Sequence, residues 1–450
     1  MKYYFSGIGG IGMSSLALYA KYTGHTVYGS NNEENERTNY LQNQNINIKF
    51  EQNKDIPDVD LFIKSTAIKN DNPETIAAKE KNIKILSRME FLNTILKENH
   101  SIGITGTDGK TTTTAMTANI FINAKKSPTV FLGGLHKSLK DGNFNFGKNI
   151  LISEVDESDG YIKYASSNTI LVNNLRPDHL EHYDNDFENL KKSIKNYCKT
   201  SNKFLFFNYD DPILKKWKNE FQNIIYFGID EDADYIMKNR KQINSHQEFD
   251  MYKKDIYLGK ITLSMPGIHY AYDALAAASI SLEYGIKFED IQRSLKKFES
   301  VGRRFNILYS NSNKYVIDDY AHTPEEIFHT IEGAKEYFPN KKIITIFQPH
   351  RYTRLHRHKN DFVNVLKNSD EIIVYRIYSA FEDPIDGIDE NYICRLLKEN
   401  GKNCLFFDID NDMIDYLKAI KESVFLFVGA GDITKVAYKL SSELLNSHIK

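Results

Sequence analysis

The chain has 450 residues, too many for one ordinary core; at roughly 100 to 200 residues per domain it predicts two to four domains, and its element pattern favours three. With 41% hydrophobic and 26% charged residues each unit can fold around a core, and 58 Lys plus Arg against 60 Asp plus Glu, a net of -2, argue against nucleic acid or a membrane as the main partner. Cys198, Cys394 and Cys404 form no C-x-x-C, no signal-like apolar segment follows "MKYYFSGIGGIG", and no run nears the ~20 apolar residues of a span, so a cytoplasmic protein without disulfide framework or thiolate zinc is expected.

In chain order, "KYYFSG" reads as a strand ending in a glycine turn, "MSSLALYAKYTG" as a helix, and "HTVYGS", "VDLFIKSTA" and "IKILSR" as further strands. This βαβ rhythm predicts a parallel sheet with helices on its faces. A second unit starts at "SIGITGTDGKTTTTAMTANIFINA" as strand, tight loop and helix, and continues through "NILISEVDES", "SNTILVNNL", "KFLFFNYD" and "NIIYFGI". The span from about Asp230 to Lys260 reads as a hairpin-rich insert, and the Ala and Leu content of "YAYDALAAASISLEYG" as a buried helix. A third unit opens near "ESVGRRF" and repeats the rhythm with "KYVIDDYA", "KKIITIFQ", "DEIIVYRIY", "NCLFFDI" and "SVFLFVGAGD". The expected architecture is α/β in three domains, 1–98, 99–298 and 299–450.

"SGIGGIGMSS" joins a strand to a helix, and its glycines let the backbone approach an anion, naturally a pyrophosphate, at the helix N-terminus. A dinucleotide site would place an acid at the end of the second strand; Ser30 and Asn31 stand there, which weakens a nicotinamide reading, and a plain tight turn is the bland alternative. "GITGTDGKTTTT" is sharper. A strict P-loop would need glycine at Ile104, yet the shorter Gly106-x-x-Gly109-Lys110-Thr111 still lies between strand and helix. Its amides can cradle phosphates, Lys110 can reach the β and γ oxygens, and a threonine hydroxyl can ligand Mg²⁺.

This loop resembles the ATP loop of the Mur ligase superfamily. The glycine-rich start, "SEVDESDG", "RPDHLEHY", "FESVGRRF", "DDYAHTPEE" and "FQPHRYTR" follow in the order of its muramate:alanine branch, so the resemblance spans nearly the whole chain. It implies a Rossmann-like N-terminal domain for the UDP substrate, a central P-loop-type ATPase domain, and a Rossmann-like C-terminal domain for the amino acid. It further implies an ATP-dependent ligase joining L-alanine to the carboxylate of UDP-N-acetylmuramate through an acyl phosphate, with two Mg²⁺ ions. A monomer or weak homodimer is expected. Alternatives are a muropeptide ligase, a glycine- or serine-adding enzyme and, in another class, a nicotinamide-dependent oxidoreductase.

Carried over residue by residue, the resemblance gives the UDP substrate Gly9, Gly10, Ile11, Gly12, Ser30 and Ser65. ATP falls to Gly106, Thr107, Gly109, Lys110, Thr111, Thr112, His269, Arg303 and Asp318, and the metal to Thr111, Glu154 and His179. Taken alone, the acids Glu154, Asp156, Glu157 and Asp159 would also suit a solvated turn. Where some superfamily members carry a carbamylated lysine, Ile194 stands here with Lys195 beside it, and no modification is expected.

"FQPHRYTRLHRH" packs three His and three Arg behind Pro349. A helix starting at that proline would carry His350, Arg351 and Arg354 in its first two turns, where each cation opposes the dipole by roughly 0.3 to 1 kcal/mol and so calls for an anion. The resemblance makes that anion the amino-acid carboxylate, with Tyr320 and His322 on the same sheet edge and His322 assisting proton removal. A solvated helix face is the alternative, and Arg303 and Arg304 could bridge domains or reach phosphate. Four positions depart from the family pattern: Asp108 replaces a loop His, Tyr270 and Asp273 replace two Asn, and Thr323 replaces the second His of "HHP". These leave nucleotide preference and rate open.

Overall fold

The computed structural model describes residues 1–380 and 382–447. In the first sheet β1 (Lys2–Ser6), β2 (Thr26–Ser30), β3 (Asn47–Lys49), β4 (Leu61–Lys64) and β5 (Lys84–Ser87) run parallel in the order β3-β2-β1-β4-β5. The central β1 is buried through Tyr3, Tyr4, Phe5 and Ser6, which is why its sequence is a continuous apolar run rather than an alternating one. Helices α1 (Ile11–Tyr22), α2 (Glu36–Asn43), α3 (Pro73–Glu80) and α4 (Arg88–Glu98) complete this Rossmann-like layer. The strand order reverses between β1 and β4, the place where open parallel sheets bind ligands at their carboxyl ends.

The second sheet contains β6 (Ser101–Thr105), β7 (Pro128–Phe131), β8 (Phe144–Asn145), β9 (Ile150–Glu154), β10 (Thr169–Val172), β11 (Phe204–Asn208), β12 (Ile224–Gly228), β13 (Tyr235–Ile243), β14 (His246–Lys253) and β15 (Ile256–Leu263). Their order is β15-β14-β13-β12-β11-β10-β6-β9-β7-β8, with β6 paired in parallel to β10 and β9. The expected hairpin-rich insert is the run of neighbours β13, β14 and β15. Helices α5 (Lys110–Asn123), α6 (Phe187–Cys198), α7 (Ile268–Glu283) and α8 (Phe288–Lys296) accompany this sheet.

In the third sheet β16 (Asn306–Ser310), β17 (Lys314–Asp319), β18 (Ile343–Phe347), β19 (Glu371–Tyr375), β20 (Cys404–Phe407) and β21 (Ser423–Val428) take the order β16-β17-β21-β18-β19-β20, antiparallel only between β16 and β17. Its helices are α9 (Pro324–Tyr337), α10 (Tyr352–Arg357), α11 (Lys359–Leu366), α12 (Tyr392–Glu399), α13 (Asp410–Ala419) and α14 (Ile433–Ser447).

Packing divides the chain into two compact units: Met1–Lys238 with Asp250–Ile261 and Tyr272–Leu295, and Asn239–Phe249 with Thr262–Ala271 and the chain from Lys296 on. The first holds the N-terminal sheet and most of the central one, because one hydrophobic core runs through both. Tyr19 and Tyr22 of α1 meet Phe131, Phe144 and Phe146, with ring centroids 5.4 to 6.5 Å apart. Against the expected absence of a disulfide framework, one local pairing stands. Cys394 and Cys404 are bonded, their Cα atoms 5.5 Å apart, because the chain turns after α12 and brings β20 back beside it.

Candidate functional site

The N-terminal loop is built by backbone contacts. Ser30 receives the Gly7 and Ile8 amides on its carbonyl oxygen, 2.9 Å each, and the Ser65 amide donates to Ser6 O at 3.0 Å, so the ends of β1, β2 and β4 are tied together. No side chain caps α1, whose N-cap is Gly10, leaving its first-turn amides for an anion. The Ser30 hydroxyl, expected beside the UDP moiety, is buried and donates to Glu74 Oε2 at 2.7 Å. Glu74 also accepts from Ser6 Oγ and Tyr4 Oη, 2.6 Å each, so three hydroxyls converge on one buried carboxyl group behind the loop. Ser30 therefore positions the loop through its carbonyl. At Gly12 a Cβ would stand 2.9 Å from the Arg88 guanidinium, so glycine is what lets that cation lie against the first turn of α1.

The second glycine loop leaves β6 at its carboxyl end and enters α5 at Gly109, whose φ of +78° favours glycine and where a Cβ would run into the Asp273 carboxylate. Lys110 Nζ donates to the carbonyls of Gly106 (2.7 Å) and Thr107 (3.0 Å) and to Glu157 Oε1 (3.0 Å). The Thr111 hydroxyl donates to Glu154 Oε1 at 3.0 Å, while the Gly133 amide holds Glu154 Oε2 at 2.9 Å. Lys110, Thr111 and Glu154 thus meet at one sheet edge, as β6 and β9 are neighbours. Thr112 is buried in α5. Asp273 accepts from the Thr113 hydroxyl at 2.8 Å, so this departure from the family pattern is anchored to the loop helix. His179 follows β10 in a left-handed conformation (φ 52°), its ring nitrogens 3.4 Å from Asp178 and 3.9 Å from Glu181. Among the described residues no three His, Cys, Asp or Glu side chains form a preformed metal cage. Ile194 is buried in α6, and Lys195 pairs with Glu220 at 2.6 Å.

Electrostatics separate the acids. Burial would raise Asp156, but Lys110 and Arg88 outweigh it and hold that carboxyl at about 2. Burial raises Glu154 against the pull of Lys110, and pushes Glu157, with Asp156 adding to it, up to about 7. Burial would lower Lys110, yet Glu157, Asp156 and Glu154 raise it, so it stays charged. Glu157 Oε2 is buried without a hydrogen-bond partner, so nothing on that oxygen offsets the cost of burying the charged carboxylate. A carboxyl raised in the fold stabilises it fully below the ordinary value of 4.5, and the contribution is lost as pH rises through about 7. Wild-type protein should therefore lose more thermal stability between pH 5 and 8 than Glu157→Gln, by up to about 3 kcal/mol, in melting curves taken across that range. Parallel curves for the two proteins would remove the buried acid from this account.

The C-terminal cations lie in the second unit, after β17 and β18. His322 and His350 meet edge to face at 5.6 Å, and Tyr320 lies 5.2 Å from His322. The helix expected from Pro349 starts only at Tyr352, because His350 bridges to Tyr378 and the Arg351 amide donates to Tyr378 O at 2.8 Å. Arg351 is left at the N-cap with φ 71°, and Arg354 Nη1 lies 3.0 Å from His350 Nδ1. His350, Arg351 and Arg354 are still gathered, but by a strand bridge rather than by one helix. His322 Nδ1 is 3.0 Å from Tyr320 O and 3.2 Å from Glu326 Oε2. Burial opposes ionisation of Glu326, but His322, Arg304 and the amides of His322 and Thr323 depress it strongly. Thr323 caps α9, accepting from the Glu326 amide at 3.3 Å, a task a histidine performs poorly. Tyr270 donates to Asp319 at 3.4 Å.

Arg303 and Arg304 stack over Tyr320, 5.0 and 5.2 Å from its centroid. Arg303 Nε lies 3.5 Å from Asp318, whose Oδ1 is buried and unpartnered. His269 lies in the same unit, its charged form disfavoured by burial and then by His329.

Arg88 escaped sequence reading. It pairs with Asp159 at 2.9 Å and Asp156 at 3.6 Å, and the only local signal is its place directly after the Ser87 that caps α4.

Three family profiles match the chain: "Mur ligase family, catalytic domain" over residues 2–100, "Mur ligase middle domain" over 104–281, and "Mur ligase, glutamate ligase domain" over 303–431. The chain is 38% identical over 454 residues to the UDP-N-acetylmuramate--L-alanine ligase of Thermotoga neapolitana, covering 99% of this chain and 97% of that protein. To the protein of the same name from Aquifex aeolicus it is 36% identical over 441 residues, 96% of each. The crystal structure of UDP-N-acetylmuramate-alanine ligase MurC from Thermotoga maritima superposes with a TM-score of 0.87 at 34% identity, covering 99% of this chain and 100% of that one.

Proposed function

The chain belongs to the Mur ligase family, and on that premise we propose that it is an ATP-dependent ligase joining L-alanine to the carboxylate of UDP-N-acetylmuramate in peptidoglycan precursor synthesis. The observation that carries the chemistry is Lys110, buried at the head of α5 among Glu154, Asp156 and Glu157. A nicotinamide reading has no comparable support: the hydroxyl of Ser30, where a ribose-binding acid would stand, is committed to Glu74.

Forming an amide from a carboxylate needs activation. The muramate carboxylate attacks the γ-phosphorus of ATP, ADP leaves, and an acyl phosphate results. Lys110 turns from the loop carbonyls to the phosphate oxygens, and the loop from Gly106 to Thr112 cradles the phosphates with its amides. The hard oxygens of Thr111 and Glu154, 3.0 Å apart, fit Mg²⁺, which keeps water and phosphate in its shell and does not need a full protein cage. Thr111, Glu154 and His179 would hold the ions, which supply neutralisation of phosphate charge when bound. The alanine amine, freed of its proton by His322, attacks the acyl carbon, and the tetrahedral adduct expels phosphate. His350, Arg351, Arg354 and Tyr320 hold the alanine carboxylate; His269, Arg303 and Asp318 serve the nucleotide.

Residues 1–98 are assigned to the UDP substrate, 99–298 to ATP and 299–450 to the amino acid. Work on small molecules in the cytoplasm as a monomer or weak homodimer completes the reading; no helix among the described residues is long and apolar enough to cross a membrane. A phosphate-release screen over amino acids and UDP-sugars tests it. Release should require ATP, Mg²⁺, UDP-N-acetylmuramate and L-alanine together; equal release with glycine or serine, or with a muropeptide, would move the assignment within the family.

A further inference from the structure

The ATP loop carries a carboxylate, Asp108, one residue before the glycine that opens α5. An incoming triphosphate meets a like charge there unless something neutralises it. That neutralising group is Arg176, on the segment that follows β10 and leads to His179: its Nη1 donates to Asp108 Oδ2. The pair closes a set of shorter-range ties between the same two segments. Thr107 N–H donates to Asn174 O at 3.1 Å, Arg176 N–H to Thr107 Oγ1 at 2.9 Å, and Asp108 N–H to Asn174 Oδ1 at 2.9 Å. In return the Asp108 carbonyl takes the side-chain amides of Asn173 and Asn174, 3.2 Å each. The backbone of the loop tip is thus already fixed without the ion pair. What the ion pair adds is charge cancellation at the loop, with the Arg176 side chain only partly withdrawn from solvent at 36% exposure.

We propose that Arg176 is a positioning residue for the ATP site. It pairs with Asp108, so that the loop meets the triphosphate with that carboxylate's charge offset, and the two act as one unit. This rests on the loop being the ATP site.

The full-length enzyme tests it through the KM for ATP, kcat and the melting temperature of Arg176→Gln, Asp108→Asn and the double variant. Arg176→Gln should raise the KM for ATP about tenfold, with kcat within about threefold of wild type, because it takes the guanidinium's charge away from Asp108. Adding Asp108→Asn should bring the KM back to within about threefold, a non-additivity that a merely structural arginine would not show. Arg176→Lys, which keeps the charge but loses the fork, should recover most of the loss. A double variant as impaired as Arg176→Gln, or a normal KM in Arg176→Gln, overturns the proposal. Lys110→Ala, run beside them, separates the two levels: if it binds ATP and turns over normally, the loop assignment itself falls. An inactive Lys110→Ala beside an unaffected Arg176→Gln sinks only the role of the pair.

Discussion

Lys110→Ala should abolish phosphate release, lowering kcat by about a thousandfold or more, while UDP-N-acetylmuramate still binds with nearly wild-type affinity. The charge is hard to replace because Nζ is the donor that bridges Glu157 and the loop carbonyls of Gly106 and Thr107. Nothing else on the loop is cationic. The N-terminal glycine loop is built from β1, β2 and β4 and makes no hydrogen bond to Lys110, so substrate affinity should survive. Phosphate release paired with equilibrium titration of the UDP substrate decides it, and an active variant removes the ATP site from this loop. Lys110→Arg should not rescue, since a planar fork cannot take the place of a compact ammonium in a buried position.

Glu74→Leu should strongly destabilise the N-terminal layer. It leaves the buried hydroxyls of Tyr4, Ser6 and Ser30 without their shared acceptor, and at about 1 to 3 kcal/mol for each stranded group the loss reaches several kcal/mol. Urea unfolding followed by tyrosine fluorescence should show the earliest transition moving to lower denaturant. Because Ser30 also carries the amides of Gly7 and Ile8, the KM for the UDP substrate should rise while that for ATP stays put. An unmoved transition would mean the three hydroxyls find other acceptors.

The two glycine loops were legible because everything that defines them is local: a strand, a few glycines, a helix start and, in one case, a lysine. The three parallel-rich sheets followed from the same short-range rhythm. Partners distant in the chain were not legible. Glu74 draws its three donors from positions 44 to 70 residues away, Arg88 finds Asp159 71 residues on, and Asp108 finds Arg176 68 residues on; no spacing rule reaches that far. The start of α10 was misplaced by three residues because the proline rule knows nothing of the isolated bridge to Tyr378 that captures His350. Likewise the Cys394–Cys404 bond depends on the turn between α12 and β20, and the shared core of the first two sheets on aromatic rings that meet only after folding.

Arg351 holds φ 71° and ψ 134°, a backbone geometry that side-chain-bearing residues adopt at a penalty of about 1 to 3 kcal/mol, and here the Tyr378 contacts enforce it. Variants of this protein selected only for surviving heat should therefore drift toward glycine at this position, whereas those selected for growth should keep the guanidinium. The two lineages would part at residue 351 first, and, on the role proposed for Arg351, a heat-hardened enzyme would be recognised by a weakened grip on alanine.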